Sequence, residues 1–444
     1  MVGVVTRRDV LAARGERPAR RGAAAEPLDL GHRLLSLPGL AAVFEAVQAV
    51  AGRFAGVYLV GGAVRDLLLG GDALDVDLAV EGDGIAFARA LAELLRGRVV
   101  PHEAFGTAVV VHAAGRLDVA STRTEYYEAP AALPDVERAS IRQDLLRRDF
   151  TVNAMAVALH GTAFGHLVDP FGGRADLEAR TLRVLHSLSF VDDPTRIFRG
   201  VRYEARYGFR LDPATERLAR SCVEMGLVGA VSPARVRDEL LPLLAEDAAA
   251  RAVARLGSLG LAPALHPRLT ADEETARLVE RLDALRLRHA PHLPPWRLRL
   301  AALARGLEAE ALVDWLASLR LRRRDADRIA DAVVAAPRLL AVLADTSAAA
   351  DAVAAIAPHD PDGALLALAL APEGPARAWL ERYLAELREV ELEIDGRDLA
   401  GLGLRESPRV GEVLAEVRRR KLNGELTGRD DELAVAQALI LAAR

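Results

Sequence analysis

Two carboxylates stand two residues apart in the first quarter of the chain, Asp75 and Asp77 in the segment LDVDLAV. Side chains at this spacing leave the same face of an extended strand, so we expect the two carboxylates to lie side by side. Like charges so placed repel each other unless a cation lies between them. Paired hard oxygen ligands suit Mg²⁺ that carries a triphosphate, which is our first hypothesis. The tripeptide Asp75-Val76-Asp77 by itself is also typical of a solvated strand end.

A predicted strand, a glycine pair and a predicted helix precede these carboxylates. Residues 57–60 are β-prone, Gly61 and Gly62 interrupt them, and residues 63–69 favour a helix. Free backbone N–H groups and the positive end of a helix dipole make such a junction a phosphate cradle. Arg65, one turn into the helix, would add a guanidinium for the same phosphates. The junction by itself is equally compatible with an ordinary strand–helix turn.

A third carboxylate, Asp118 in RLDVAS, alternates with apolar residues and therefore points to one face of a predicted strand. It is a candidate catalytic partner of Asp75 and Asp77, or else a structural partner of a nearby arginine. The elements that would carry these groups are strands near 98–101, 108–112 and 117–120 and helices near 40–53 and 84–96. This alternation of elements predicts an α/β head.

The segment LRRDFTVNAMA, residues 146–156, places two arginines and an aspartate before an apolar run. The spacing of Phe150, Ala154 and Val157 predicts a helix with one apolar face. As bare sequence, the segment is also compatible with a surface turn and a charged first helical turn.

A longer helix is predicted in SFVDDPTRIFRGVRYEARYGF, residues 189–209. Pro194 is tolerated in a first helical turn, and Asp192 or Asp193 would cap it. Arginines that recur every three residues predict one basic stripe on this helix: Arg196, Arg199 and Arg202. On the residues alone, this reads as a capped amphipathic helix with a solvated arginine face.

Taken together and in this order, these stretches resemble the nucleotidyltransferase superfamily, and in particular the class II tRNA nucleotidyltransferase/poly(A) polymerase family. The resemblance covers the chain from about residue 30 to its end, and RRDFTVNA matches the family signature unbroken. Two departures are visible: Asp192 stands where the family usually has glutamate, and Ser407 stands where the family's tail has glycine.

The resemblance implies a template-independent enzyme that adds or repairs the 3′-terminal CCA of tRNA from CTP and ATP. Two Mg²⁺ ions would be held by Asp75 and Asp77, and Gly62, Arg65 and Arg148 would hold the triphosphate. The full set expected to bind the nucleotide is Gly61, Gly62, Arg65, Arg148, Asp193, Arg196, Arg199 and Arg202, with Asp149 and Asn153 as supports. An A-adding enzyme, a CC-adding enzyme and a poly(A) polymerase remain alternatives, because members with different outputs share these motifs.

The fold class implied is α+β, a nucleotidyltransferase head of the polymerase β type followed by an all-α neck, body and tail. The expected bounds are 1–28 for an N-terminal extension, 29–185 for the head, 186–270 for the neck, 271–390 for the body and 391–444 for the tail. The neck would select the nucleotide and bind RNA, and the tail would bind tRNA. The extension is either the remnant of a CBS module or a frayed terminus. The basic run 418–421 in the tail is either a phosphate contact or a helix end that complements its dipole.

Composition limits the remaining possibilities. Half of the residues are hydrophobic (51%) but only 4% are aromatic, which favours helices rich in alanine and leucine. A formal charge of −5 argues against a protein that coats nucleic acid indiscriminately, although a local basic groove is compatible with it. The single cysteine, Cys222, excludes an internal disulfide. With no apolar run near the length of a membrane span and no signal-peptide pattern, a cytoplasmic location is expected.

Overall fold

The computed structural model describes residues 28–72, 75–126, 135–404 and 408–442. Contacts divide the chain into two compact units, residues 1–231 and residues 232–444. The predicted fold class is confirmed, because the sheets lie in the first unit and the described part of the second contains helices without strands. All but the last residue of the extension expected at the N-terminus falls outside the described residues, and the five-part division of the chain stays a prediction.

Seven strands of the first unit form one mixed sheet in the order β3-β4-β5-β2-β1-β8-β9. Strand β2 pairs parallel with β5, and the other neighbours in this sheet are antiparallel. Two further pairs, β6–β7 and β10–β11, stand apart from it. The strand bounds are β1 Gly56–Val60, β2 Asp77–Glu81, β3 Arg98–His102, β4 Thr107–His112, β5 Gly115–Ser121, β6 Arg123–Tyr126, β7 Asp135–Arg138, β8 Ala156–Ala158, β9 Leu167–Val168, β10 Thr181–Leu182 and β11 Arg210–Leu211.

Helices cover this sheet and continue beyond it. The α-helices of the first unit are α1 Gly31–Ser36, α2 Ala41–Ala51, α3 Gly62–Leu68, α4 Gly84–Leu95, α5 Ile141–Leu146, α6 Gly173–Glu178, α7 Ser189–Asp192, α8 Thr195–Tyr207 and α9 Pro213–Glu224. Short 3₁₀ helices span Glu103–Phe105, Thr151–Asn153, Gly161–Ala163 and Leu227–Ala230. Helix α4 packs on β3, β4 and β5, and α2 packs on α4.

Strand β1 lies between β2 and β8, and every one of its residues is buried. On one of its faces Tyr58 and Val60 pack with Leu145 of α5 and with the alanines of β8. Strand residues alternate between the two faces, so the burial of the intervening Leu59 requires cover on the other face as well. The strand that runs into the glycine pair is therefore held on both sides, which fixes the position of the junction.

Two local predictions are changed by the structure. Strand β2 begins at Asp77, so Asp75 precedes the strand instead of sharing it. The helix predicted after Asp149 is wrong: a 3₁₀ turn at Thr151–Asn153 is followed by β8. Because residues 156–158 pair with the buried strand β1, sheet hydrogen bonding overrides the helical spacing of the apolar residues.

The second unit is built from helices that pack on one another. They are α10 Pro233–Ala245, α11 Ala249–Ser258, α12 Leu261–Leu265, α13 Glu273–His289, α14 Pro295–Ala304, α15 Ala309–Ser318, α16 Arg323–Ala344, α17 Ala349–Ile356, α18 Asp362–Leu370, α19 Pro375–Ala385, α20 Gly396–Gly401, α21 Pro408–Leu422 and α22 Arg429–Leu441. Short 3₁₀ helices span Ala357–His359 and Leu387–Glu389. Within the described ranges no helix combines the length and the apolar character needed to cross a membrane.

A close backbone contact leads to a stability prediction. Gly173 begins α6, and a Cβ at this position would overlap the backbone carbonyl of Thr151 in the 3₁₀ turn. We therefore expect Gly173→Ala to lower the free energy of unfolding by about 1–3 kcal/mol, because backbone must move to make room. Gly52→Ala is the matched control, since a Cβ there meets nothing within 4 Å and the φ of −62° suits alanine. Urea unfolding of the full chain measures both, and equal midpoints would contradict the prediction.

Candidate active site

A pocket of about 390 Å³ opens in the first unit, above strands β2, β4 and β5. The titratable residues that line it are Asp77, His102, Asp118, Asp144, Arg147 and Arg148. Three of these six residues, Asp77, Asp118 and Arg148, were singled out from the sequence. Convergent charged groups in a concave site make it the candidate active site.

The parallel pairing of β2 and β5 places Asp77 directly opposite Asp118, and the Asp118 N–H donates to the carbonyl of Val76 at 3.1 Å. Burial raises the pKa of the Asp77 carboxyl to about 6, and repulsion by Asp118 and Asp75 adds to the rise. Arg148 opposes this shift without reversing it. Two neighbouring carboxylates thus disfavour the charged form of Asp77, and a cation placed there would favour it.

The donor set fits Mg²⁺ that arrives with a nucleotide. Across the described ranges, no three His, Cys, Asp or Glu side chains converge to hold a metal ion by themselves. Mg²⁺ usually retains several waters and takes only one or two carboxylates, with substrate phosphates as further ligands. Asp77, with Asp75 just before the strand, can provide these carboxylates, so the site fits a metal shared with a substrate.

Arg148 lies between the carboxylates and the glycine pair. Gly61 has φ +70°, and a Cβ there would come within 2.5 Å of the Arg148 Nη1, so only glycine lets the guanidinium lie against the backbone. Arg148 Nη2 donates to Asp144 at 3.1 Å, and Arg147 Nη2 donates to the same carboxylate at 2.8 Å. Burial raises the pKa of Asp144, but the two guanidinium groups outweigh it and lower the pKa below its ordinary value.

Asp144 is a functional residue that sequence reasoning missed. Its side chain is almost fully buried, and it orients both arginines of the RRD motif. The available signal was its spacing, since a carboxylate three and four residues before two arginines faces them on a helix. His102, which also lines the pocket, was missed as well.

Arg65 does not line the pocket. It is 6% exposed, its guanidinium donates to Asp66, Asn153 and the Tyr207 hydroxyl, and it stacks over the Tyr207 ring at 4.5 Å. The structure therefore gives Arg65 internal partners on α3, on the 3₁₀ turn Thr151–Asn153 and on α8. Its expected contact with the triphosphate stays a prediction.

The arginines of the predicted basic stripe on α8 also contact other residues of the protein. Arg196 is buried and donates to the Ser189 hydroxyl at 2.8 Å and to the Arg147 carbonyl at 2.7 Å. Arg199 Nε donates to Asp149 at 2.8 Å. Arg202 lies 5.6 Å from the centre of the Tyr203 ring. A fully solvated arginine face is therefore wrong for this helix.

Asp193 precedes α8, where its carboxylate accepts hydrogen bonds from the Thr195 N–H at 3.0 Å and the Thr195 hydroxyl at 2.6 Å. This bonding pattern is that of a capping aspartate, although the helix itself begins two residues later. Neither Asp193 nor the arginines of the stripe line the pocket around Asp77. Their expected role in nucleotide binding stays a prediction.

Asp149, the last residue of the tripeptide Arg147-Arg148-Asp149, connects this tripeptide to α8. Its carboxylate accepts from Arg199, from the Asn153 amide at 2.9 Å and from the Phe150 N–H at 2.8 Å. Burial alone raises the pKa of this carboxyl, but Arg199 and the two hydrogen bonds prevail and bring it down to about 2. The network continues through Asn153 to Arg65, whose Nη1 donates to Asn153 at 2.7 Å.

Two family models match the chain. One is described as the poly A polymerase head domain and matches residues 57–183. The other is described as a probable RNA and SrmB-binding site of polymerase A and matches residues 208–273. The first range contains every pocket-lining residue, and the second begins at the end of α8.

Several curated relatives are similar to most of the chain. The A-adding tRNA nucleotidyltransferase of Geobacter sulfurreducens is 38% identical over 86% of this chain and 45% of its own length. The A-adding enzyme of Halalkalibacterium halodurans is 34% identical over 86% of this chain and 88% of its own length. The CC-adding enzyme of Deinococcus radiodurans is 33% identical over 86% of this chain and 89% of its own length. The chain thus spans less than half of the first relative and most of the other two.

Three solved structures of similar fold contain tRNA or a nucleotide. The Thermotoga maritima CCA-adding enzyme complexed with tRNA has a TM-score of 0.78 at 31% identity, over 93% of this chain and 98% of that chain. A CCA-adding enzyme complexed with ATP has a TM-score of 0.80 at 30% identity, over 94% and 97%. A complex with CTP has a TM-score of 0.78 at 29% identity, over 94% and 99%.

The buried Asp149 carboxylate leads to a prediction about acid stability. Its pKa of about 2 lies below the ordinary value near 3.9, so its contribution is present above pH ~4 and is lost as the pH falls through about 2. We expect Asp149→Asn to lower the free energy of unfolding by about 2–3 kcal/mol at pH 6. The gap between wild type and variant should shrink on acidification.

Denaturant unfolding of both proteins between pH 6 and pH 2.5 measures this gap. Glu178→Gln is the control, because it removes one end of an exposed ion pair with Arg174 and should change stability by less than about 1 kcal/mol. A gap that stays constant down to pH 2.5 would refute the assigned electrostatic role of Asp149.

Proposed function

The chain belongs to the tRNA nucleotidyltransferase/poly(A) polymerase family, and from this membership we propose that it extends the 3′ end of tRNA with nucleotides from ATP or CTP. The observation that carries the proposal is the pocket in which Asp77, Asp118 and Arg148 converge beside the Gly61 backbone. Carboxylates for a divalent cation and a guanidinium for phosphate are what a nucleotidyl transfer requires of a protein. Related structures that contain tRNA, ATP or CTP support the substrate class.

In the proposed reaction the 3′-oxygen of the RNA forms a bond to the α-phosphorus, and the bond from that phosphorus to pyrophosphate breaks. Asp75 and Asp77 would hold two Mg²⁺ ions, with Asp118 beside them. Bound there, Mg²⁺ would favour ionisation of the attacking hydroxyl and offset charge on the phosphates. Arg148 donates to the phosphate oxygens, and the glycine at position 61 lets the triphosphate approach the backbone N–H groups at the start of α3.

The residues around the pocket mainly position these groups. Asp144 holds the guanidinium of Arg148 at the pocket wall, and Arg196 holds the backbone of the preceding residue through the Arg147 carbonyl. Transfer of this kind asks little covalent chemistry of the protein, so orientation and charge account for most of the rate. Helix α8 therefore contributes to catalysis as a support of the RRD segment.

Selection of the base by Asp193 and Arg196 is a finer part of the proposal. Asp193 would accept from the exocyclic amine of cytosine or adenine, and Arg196 would donate to the neighbouring ring nitrogen. Both side chains now bond to protein groups, Asp193 to Thr195 and Arg196 to Ser189 and Arg147. Base recognition through them requires that a nucleotide replace these bonds.

Addition of AMP to tRNA that already ends in CC is the output we propose. It is favoured by the A-adding relatives from Geobacter and Halalkalibacterium, each aligned over 86% of this chain. Complete CCA addition, the reaction first expected from the sequence, is the second candidate, and the CCA-adding structures of the same fold favour it.

The output is decided with three RNA substrates. Purified full-length chain is incubated with tRNA ending at the discriminator base, at C or at CC, with ATP or CTP singly and together. For the A-adding enzyme we expect one AMP on the CC-ending tRNA and no product from the two shorter RNAs. Incorporation of CMP into either shorter RNA would refute A-specific output, and absence of transfer from ATP and CTP to all three would refute the proposed function.

The role of Asp77 is tested by its isosteric amide. Asp77→Asn should lower transfer by at least about a thousandfold, because losing a metal ligand forfeits several kcal/mol of transition-state stabilisation. Its stability should be equal or higher, since the raised pKa shows that the charged form is disfavoured in the fold. The measurements are single-turnover transfer and urea unfolding.

Two comparisons sharpen this test. Glu178→Gln removes a carboxylate from the exposed surface of the same unit and should leave transfer unchanged. Asp118→Asn separates the two roles open for that residue: a loss above a hundredfold assigns it to catalysis, and a loss below threefold assigns it to its ion pair with Arg116. Activity of Asp77→Asn within tenfold of wild type would rule out the metal-ligand assignment.

A further inference from the structure

A group of arginines in the second unit takes no part in the proposed chemistry. We define the arginine patch as the exposed residues Arg320, Arg322, Arg323 and Arg324 in the sequence LRLRRRD. It occupies the turn between α15 and α16 and the first turn of α16. We propose that the arginine patch binds the phosphate backbone of the RNA substrate, an inference that rests on the proposed function for the identity of that RNA.

Helix stability does not explain the patch. The N-terminus of an α-helix carries a partial positive charge, so a cation in the first turn costs about 0.3–1 kcal/mol where an acidic residue would gain as much. Arg323 and Arg324 occupy the first turn of the 22-residue helix α16, and Arg322 is its cap residue. The same turn contains one acidic residue, Asp325, so three arginines stand at this helix end against a single carboxylate. An excess of charge that the local rule disfavours is typical of functional surfaces.

Neighbouring acidic residues do not neutralise the patch. Asp325 is directed to the interior, where it receives a hydrogen bond from the buried Arg297 at 3.3 Å. Asp327 lies 3.7 Å from Arg323, but the two side chains are 70% and 93% exposed. An ion pair this open to water contributes little, so most of the positive charge is available to a ligand.

The turn that carries the patch is attached to a segment matched by an RNA-binding family model. Arg237 lies in α10, inside the range 208–273 that matches this model. Its Nη1 donates to the carbonyl of Leu319 at 3.3 Å and to that of Arg320 at 3.0 Å. These bonds hold Arg320 at φ +52°, a left-handed conformation that few non-glycine residues adopt. The patch itself lies outside the matched range, so it extends the expected RNA surface.

The basic run of the tail makes an instructive contrast. Arg419 and Arg420 both donate to Glu416, at 2.6 and 2.9 Å, and Lys421 donates to the buried Glu432 at 2.6 Å. These residues end α21, where positive charge complements the helix dipole. The tail run therefore has a sufficient structural explanation, whereas the arginine patch has charge at the unfavourable helix end and no comparable partner among the contacts described here.

The salt dependence of RNA binding tests the proposal. The triple variant Arg322→Gln, Arg323→Gln, Arg324→Gln is compared with wild type for binding of full-length chain to tRNA with a periodate-oxidised 3′ end. Each phosphate contact contributes about 0.7–0.9 to the slope of log K against log salt, so the slope should fall by about 2–3. Between 50 and 200 mM KCl, wild type should therefore lose about 20–40-fold more affinity than the variant.

Matched variants separate a local contact from net charge. Replacing Arg288, Arg338 and Arg382 with glutamine removes the same charge from exposed positions of the second unit, and it should leave the slope unchanged. Arg338 lies on α16 itself, about 21 Å along the helix from Arg324. Lysine at 322, 323 and 324 should restore the slope, because it retains the charge.

The outcomes distinguish this proposal from the proposed function. A wild-type slope in the glutamine variant, or an equal fall in the control triple, overturns the arginine patch as an RNA contact, even where nucleotide transfer is intact. A smaller slope in the patch variant alone supports the arginine patch as an RNA contact. This binding measurement requires no catalytic turnover. Should wild type bind tRNA in this manner but transfer no nucleotide, the proposed function fails and the RNA contact stands.

Discussion

The candidate site depends on the hydrogen bonds of one buried carboxylate, that of Asp149. It accepts hydrogen bonds from Arg199 of α8 and from Asn153, and Asn153 in turn accepts one from Arg65. Removing one partner of a buried charge costs several kcal/mol, so such a network tolerates one arrangement of its members. Since Arg148 is the adjacent residue, the position of the guanidinium that we propose to bind phosphate follows from where Asp149 is fixed.

Carboxylates of one pocket are held in opposite electrostatic states. Asp144 faces two guanidinium groups, which lower its pKa in spite of its burial. Burial raises the pKa of Asp77, and Asp118 and Asp75 add to the rise against the opposing effect of Arg148. The charged form of Asp144 is thus favoured, and it orients the two arginines. Asp77 carries charge that the protein leaves uncompensated, which a cation brought by the substrate would stabilise. Functional pockets are where such unfavourable charge is concentrated.

Arginine serves two purposes in this chain, and burial separates them. Arg65, Arg196 and Arg297 are at most 9% exposed and bond to carboxylates, carbonyls and hydroxyls inside the protein. A planar guanidinium with five donors suits such interior bridging. Attraction of an RNA backbone depends instead on exposed charge, which is why the net charge of −5 says little about where RNA binds.

The sequence by itself determined the strand before Gly61 and the helix after it, because β-prone runs and glycine breaks are local properties. The order of the motifs indicated the family and, through the family, the α+β class. The site was only partly predictable. Asp77 meets Asp118 through a parallel register between distant strands, and residues 156–158 leave their helical pattern to pair with β1. Whether an arginine faces a ligand or the interior, as with Arg65, depends on partners far along the chain, such as Asn153 and Tyr207. Only the tertiary structure decides this, since burial and hydrogen-bond partners are set when distant segments pack.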